Sequence, residues 1–293
     1  MSDKTLIIGG CGYIGSYLYT FLKNKDHDVH TVDLELFGNF TNPKNKKENY
    51  NLLTKKYLKN FKNIILLAGY SSVKMCEDKM FDSFNNNVVN FINLLEKIED
   101  QKFIYASSSS VYGDTKNSYV DETYDRYVPS TFYDLTKKEI DYYAHLSNKD
   151  IYGLRFGTVN GFSPNLRVDL MINKMYKTGI EKRKIIVSNP DFHRPILGIN
   201  DLSRAVYRIT SVKPKPGIYN LASFNATILQ IAKSVVKNTK SDLEITKPSK
   251  SYNFSINTEK FEKKFNFRFK DSADSIIEDL MINFKDAHQS ERI

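Results

Sequence analysis

Four short strand-like segments mark the first half of the chain, at residues 6–8, 28–33, 63–68 and 102–106, all but 28–33 largely apolar. Between the first two, Tyr13, Ile14, Tyr17, Leu18, Phe21 and Leu22 recur at helical spacing. Brief runs without polar alternation fit strands buried on both faces, as in a parallel sheet whose crossovers are helices. Residues 85–99 carry Val88, Val89, Phe91, Ile92, Leu94, Leu95 and Ile98 at helical spacing. They predict a packing helix, buried or partly subunit-facing. Further helices are expected after Pro129, over 200–209 opening on Asp201, and from a Thr227 cap through 237. The last, over 272–286, is amphipathic on Ile276, Ile277, Leu280, Met281 and Phe284. Residues 217–222 read as a strand returning to the main sheet. Residues 34–47 are polar and rich in breakers, a loop. Residues 50–53 read as a short third strand, with Thr54 capping a short helix. Residues 69–72 form a turn beyond a strand's C-terminal end, where open parallel sheets bind ligands.

The junction between the first run and the first helix reads GGCGYIG, with Gly9, Gly12 and Gly15 three apart. A buried strand, a glycine turn and a helix make half of a dinucleotide-binding unit. Glycine lets the backbone approach a pyrophosphate closely, and the helix N-terminus presents unpaired N–H groups. The second strand ends in Asp33, at about the offset where an acid accepts hydrogen bonds from an adenosine ribose. The competing reading is a solvated strand-end charge; the glycine turn in register favours the ribose. Leu34 follows, with no cation directly after the acid, so a 2′-phosphate would meet repulsion without a counter-charge. NAD is expected over NADP.

The strand at 102–106 runs into Ser107, Ser108, Ser109 and Ser110, then Val111, Tyr112 and Gly113. Tyr133 and Lys137 stand four apart on one helix face, which alone reads as a surface pair. In order, GGCGYIG, FIYASSSSVYG (103–113), YDLTK (133–137) and RFGTVNG (155–161) resemble the extended short-chain dehydrogenase/reductase family. The branch they resemble is that of the nucleotide-sugar epimerases and dehydratases, over nearly the whole chain. The resemblance implies an α/β fold, a Rossmann-type doubly wound parallel sheet with a smaller C-terminal substrate-binding lobe. The NAD-binding domain would span 1–163, with the chain returning to it at about 195–222, and the lobe 164–194 and 223–293.

Position by position, the resemblance implies that Ser108, Tyr133 and Lys137 are catalytic. The cofactor would meet Gly9, Gly12, Tyr13, Ile14 and Gly15, then Asp33, Leu34, Asn51 and Leu52, then Leu67, Ala68, Gly69 and Ala106, besides Tyr133 and Lys137. The substrate would meet Ser72, Ser108, Ser109, Ser110, Thr158, Arg167 and Arg194. A phenol with a pKa of about 10 is a poor base near neutrality. A cationic Lys137 one helical turn away would favour its phenolate. Ser108 would hold the reacting sugar oxygen, and Lys137 would also anchor the nicotinamide ribose. Family members that dehydrate sugars carry an acidic pair after the catalytic Ser/Thr. Ser109 and Ser110 stand there instead, which argues against a 4,6-dehydratase. Thr158 replaces an Asn of many members, and Asn160 the usual Tyr. TVNGFSPNLRVDLMIN (158–173) resembles a sub-branch pattern. Arg167 and Arg194 match positions that usually hold the nucleotide diphosphate, the other reading being surface arginines. His27, His30, His145 and His193 read as structural or solvent-facing.

The chain has 293 residues and a formal charge of +9, enough for one large α/β unit with a lobe. Its basic residues are scattered, with short pieces at 44–47 and 182–184, so nucleic acid is not expected as a partner. In KFEKKFNFRFK (260–270) phenylalanines interleave with cations, either a nucleic-acid surface or, the favoured reading, buried rings. Two cysteines, Cys11 and Cys76, offer neither a disulfide framework nor metal-ligand spacing, and a reducing cytosol is expected. The first strand begins too early to leave room for a signal peptide, and no apolar run approaches a membrane span. The absence of Trp with abundant Lys, Asn, Ile, Phe and Tyr suggests an AT-rich genome. The activity expected is oxidation and reduction at carbon 4 of a nucleotide sugar by a homodimeric epimerase. The dimer would use the 85–99 and Tyr133 helices. A one-way reductase or dehydrogenase of a hexose or heptose is the runner-up, kept close by the short C-terminal lobe. A non-catalytic NAD-sensing or RNA-binding relative is the third reading.

Overall fold

A computed structural model describes residues 4–40, 44–116, 118–126, 128–213 and 215–291. The expected loop at 34–47, and the expected domain limits at 1 and 293, thus fall partly outside the described residues. Seven strands form one sheet. Their spatial order is Gly217–Leu221, Ile151–Phe156, Lys102–Ser108, Asn63–Leu66, Thr5–Ile8, Val29–Asp33 and Lys46–Lys47. Every pairing is parallel. The chain leaves Thr5–Ile8 toward one edge and returns on its other side at Asn63–Leu66. That reversal opens a crevice beyond the strand ends, the usual ligand position in such sheets.

Side chains alternate across the sheet, and each face has its own core. Ile7, Ile65, Ile104 and Leu154 join one cluster, and Leu6, Ile8, Ile64 and Phe103 the other. The first cluster continues without a break into Val168, Ile172, Ile231 and Leu280, which belong to the C-terminal elements. There a three-stranded sheet joins Phe224–Thr227, His193–Gly198 and Thr158–Asn160. Helices Met171–Lys182, Ile228–Thr239 and Ala273–Asn283 pack on one another beside it. Both predicted caps form: Thr54 accepts from Tyr57 N, and Thr227 closes a capping box with Gln230.

The structure differs from the periodicity at five places. Residues 50–53 are no strand: Tyr50–Leu52 is a 3-10 turn begun by the Asn49 side chain, which accepts from Asn51 N. The edge strand is Lys46–Lys47, inside the expected loop. The helix expected over 85–99 opens with a π-turn, Asn85–Val89, before the α-helix Asn90–Lys97. Asn87 explains the turn: it accepts from Tyr70 N and donates to Tyr70 O and Thr136 Oγ1. The active-site strand runs on to Ser108, because Ser107 and Ser108 stay paired with Arg155 and Phe156. Met281 is half exposed, not part of the core. The phenylalanine stretch is buried as favoured: Phe261 and Phe265 stack at 4.3 Å, with Phe267 and Phe269 against Phe261.

Candidate active site

Gly9 follows the first strand with φ +91°, and a Cβ there would lie 2.5 Å from Ala68 N. At Gly15 a Cβ would lie 2.1 Å from the Gly9 carbonyl, so the helix Tyr13–Lys23 starts hard against the turn. Gly12 is different. Its Cβ would meet only Gly9 O, at 3.4 Å, and Gly12 forms part of a cavity wall. No side chain caps this helix at Gly12, so its leading N–H groups can serve an anion. The Asp33 carboxylate is aimed by two backbone donors, Cys11 N at 3.0 Å and Glu35 N at 2.7 Å.

The cavity measures about 650 Å³, in the usual range of roughly 300–1,000 Å³ for a bound small molecule. Gly9, Gly12, Tyr13, Ile14, Gly15, Asp33, Leu34, Leu67, Ala68 and Gly69 line it. The turn, the helix end and the carboxylate together fit a dinucleotide. Strand pairing also sets Lys47 opposite Asp33, a cation that adjacency in sequence does not reveal. Its ammonium lies 3.6 Å from the Glu35 carboxylate, which offsets its charge.

The helix Phe132–Leu146 starts one residue before Tyr133 because Thr131 caps it, accepting from Asp134 N and donating to the Asp134 carboxylate. Lys137 donates to Ala106 O at 2.8 Å, with its ammonium 5.8 Å from the Tyr133 ring centre. Ser108 Oγ accepts from Ser110 N at 3.2 Å and lies 2.9 Å from Ser110 Oγ, and its hydroxyl stands close enough to the Tyr133 phenol to lower its pKa. The three are therefore brought together at the C-terminal end of one strand. Burial pushes the Tyr133 phenol up, while the Ser108 hydrogen bond and the Arg167 charge pull it down. Burial lowers Lys137 to about 8, against the opposing influence of Cys76 and Asp141.

Other expected positions fall elsewhere. Asn51 and Leu52 do not line the cavity; Glu48, Asn49 and Tyr50 do, because the 3-10 turn carries the next residues away and leaves Leu52 largely exposed. Ser72 is a helix cap, accepting from Met75 N, and its neighbour Ser71 faces the cavity. Ala106 meets Lys137 through its carbonyl instead of lining the cavity. Tyr13 contributes at the wall, but its hydroxyl is turned away to Gly161 O at 2.8 Å. Ser109 is buried, and Ser110 is engaged with Ser108. Thr158 opens a strand beside His193–Gly198, outside the cavity. Arg167 is no surface arginine. It is buried in the wall of the glycine-turn cavity, clasped by Asp169 and 3.1 Å from Ser71 Oγ.

Arg194 is also buried, donating to His193 O and Ser251 Oγ beside the Phe254 ring. Burial lowers it to about 10, only partly countered by Asp114. Among the described residues it has no ion-pair partner. Sequence reading missed Tyr70, Ser71 and Asn86 in the cavity wall, and the asparagines that tie the site together. Asn85–Asn87, three polar residues opening an apolar helix, were the available signal. Among the described residues no helix is long and apolar enough to cross a membrane, and no His/Cys/Asp/Glu group could hold a metal.

Comparison with known proteins agrees with this geometry. Residues 5–222 match the NAD dependent epimerase/dehydratase family. Protein CapI of Staphylococcus aureus is 32% identical over 238 residues, which cover 73% of this chain and 71% of that one. The ADP-L-glycero-D-manno-heptose-6-epimerase of Brachyspira hyodysenteriae is 28% identical, over 80% of this chain and 81% of its own. Among solved structures, the UDP-glucose 4-epimerase of Thermotoga maritima, determined with UDP-glucose, superposes with a TM-score of 0.84. It is 18% identical and covers 96% of this chain and 99% of its own, a likeness of fold. The chain belongs to the NAD-dependent epimerase/dehydratase family.

Proposed function

We propose that this protein is a nucleotide-sugar 4-epimerase that works with bound NAD. The observation that carries the reading is the joint placement of Ser108, Tyr133 and Lys137 at the end of the strand Lys102–Ser108. Gly9, Gly12, Gly15 and Asp33 would hold the cofactor, which when bound supplies the acceptor and later the donor of the carbon-4 hydride. Tyr133 takes the proton of the 4-hydroxyl, and returns it when the other epimer forms. Ser108 steadies that oxygen by hydrogen bond. Lys137, held by the Ala106 carbonyl, favours the phenolate electrostatically. Arg167 adds a second positive charge, since it both lines the cavity and acts on Tyr133.

Arg194 supports a nucleotide diphosphate as the substrate's anchor. A buried guanidinium without a carboxylate partner is costly unless an anion completes it, and its planar fork suits phosphate. Serines at 109 and 110 leave no carboxylate there to expel water, which favours epimerisation over dehydration. The runner-up rested on the chain's shortness, and that argument weakens beside a 4-epimerase structure of which this chain covers 99%. In this reading the sheet and its glycine turn are the cofactor domain, and the elements at 164–194 and 223–293 the substrate lobe. Two unpaired buried cysteines suit a reducing cytosol. Exposed Met80, Phe81 and Val89, with Phe132, Tyr142 and Leu146 on the neighbouring catalytic helix, support a homodimer.

The test is a screen of uridine and other nucleotide sugars by NMR, with Tyr133→Phe as control. Inversion at carbon 4 by the wild type, reduced roughly 10²–10⁴-fold in Tyr133→Phe, is expected from the loss of a positioned acid/base. Near wild-type turnover by Tyr133→Phe on any substrate converted would overturn the assignment.

A further inference from the structure

The wall of the cavity beside Asp33 includes a lip, residues 34–40, held in part by its own Glu35, whose carboxylate accepts from Asn39 and Asn45. Leu34 is 41% and Leu36 76% exposed, so burial of these residues does not hold it. Residues distant in sequence, Asn165 and His288, also hold it. The strand His288–Ser290 pairs in parallel with Asn165–Arg167, setting His288 opposite Asn165 and Ser290 opposite Arg167. His288 N donates to Pro164 O, and Val168 N to Ser290 O, each at 3.0 Å, which extends the ladder.

Asn165 sits fully buried at the centre of this arrangement. Its Nδ2 donates to the carbonyls of Cys11 at 2.8 Å and Phe37 at 3.1 Å, while its Oδ1 accepts from the Ser290 hydroxyl at 3.3 Å. Cys11 belongs to the glycine turn and Phe37 to the lip, and both line the cavity. One carboxamide therefore ties together the turn, the lip and the C-terminal strand. Only a side-chain amide can donate twice and accept at once in so small a volume. The strand adds a second hold: the Phe40 ring stacks on His288, centres 4.2 Å apart and planes 20° from parallel.

We infer that Asn165 and His288 are positioning residues for cofactor retention, fastening the lip against the glycine turn so that the dinucleotide leaves slowly. The inference rests on the NAD-binding reading and deepens it, because an epimerase must keep its cofactor between two half-reactions. Neither side chain need touch the reacting atoms.

The test uses the full chain as wild type, Asn165→Asp, His288→Ala and His288→Phe. Calorimetry would give the affinity for NAD, and limited chymotrypsin digestion of the cofactor-free proteins the cleavage rate at Leu34–Phe40 positions. Asn165→Asp keeps the size but loses both donations, and should weaken NAD binding about tenfold. His288→Ala should weaken it roughly two- to tenfold and speed cleavage in the lip, and His288→Phe should restore both by restoring the stack. A general structural role would instead lower the unfolding midpoint without a selective change in the lip. Variants matching a wild type that binds NAD would overturn this inference alone. A wild type that binds no NAD would overturn the cofactor reading and this inference with it.

Discussion

In the proposed mechanism Lys137 has two tasks that its surroundings set against each other. It must carry a positive charge to favour the Tyr133 phenolate and to hold a ribose, yet burial lowers it to about 8. Affinity for NAD should therefore fall as pH rises through about 8, where the folded protein's ammonium loses its proton. The sign for stability is the opposite. Between about 8 and the unfolded lysine's value of about 10.4 the unfolded chain binds the extra proton, so this group makes the cofactor-free protein more stable as pH rises. Lys137→Met should abolish both dependences, a result calorimetric titration and denaturant unfolding on either side of that pH would check. Tyr133 shows the complementary arrangement. Burial raises its phenol, and Ser108 and Arg167 are placed to bring it back down.

At the scale of elements, the three glycines of the turn serve different physical ends. Gly15→Ala drives a methyl into the Gly9 carbonyl and should cost about 1–3 kcal/mol of stability as well as cofactor binding. Gly12→Ala meets little protein and should weaken NAD binding with stability unchanged, because its methyl enters the cavity wall. Urea unfolding and calorimetry on the two variants separate these outcomes. The turn, its strand and its helix were legible because glycine spacing and apolar period directly express backbone geometry. The strand leading into the serines was legible from its apolar run, though not its extension to Ser108, and the helix carrying Tyr133 and Lys137 was expected after Pro129. What periodicity hid depends on side-chain hydrogen bonds over distance. The π-turn at Asn85–Val89 follows from Asn87 reaching Tyr70, 17 residues away. Whether Ser71 or Ser72 faces the cavity turns on which of them caps the next helix. Lys47 reaches the flank of Asp33 through a two-residue strand too short to show a period. Arg167 could not be assigned to a wall before its strand was seen paired with the C-terminal one.

At the scale of the whole molecule, one core runs from the first helix through the C-terminal elements, so the substrate lobe of the proposed function is built onto the cofactor domain. The same helices that frame the site present apolar side chains to solvent, with Phe81 78% and Leu146 82% exposed. Patches of this kind on neighbouring helices suit the proposed subunit interface. Light scattering should give a dimer for the wild type and a monomer for Phe81→Glu combined with Leu146→Glu; a monomeric wild type would contradict the proposed assembly. In the proposed mechanism the cofactor stays in place while the sugar turns over. The most direct measurement is incubation of the purified protein with a convertible nucleotide sugar and no added cofactor, followed by NMR and nicotinamide absorbance together. The expected result is a mixture of carbon-4 epimers approached from either sugar, with no accumulation of free NADH. Conversion that requires added NAD or NADH in equal amount, and yields a one-way oxidised or reduced product, would contradict it.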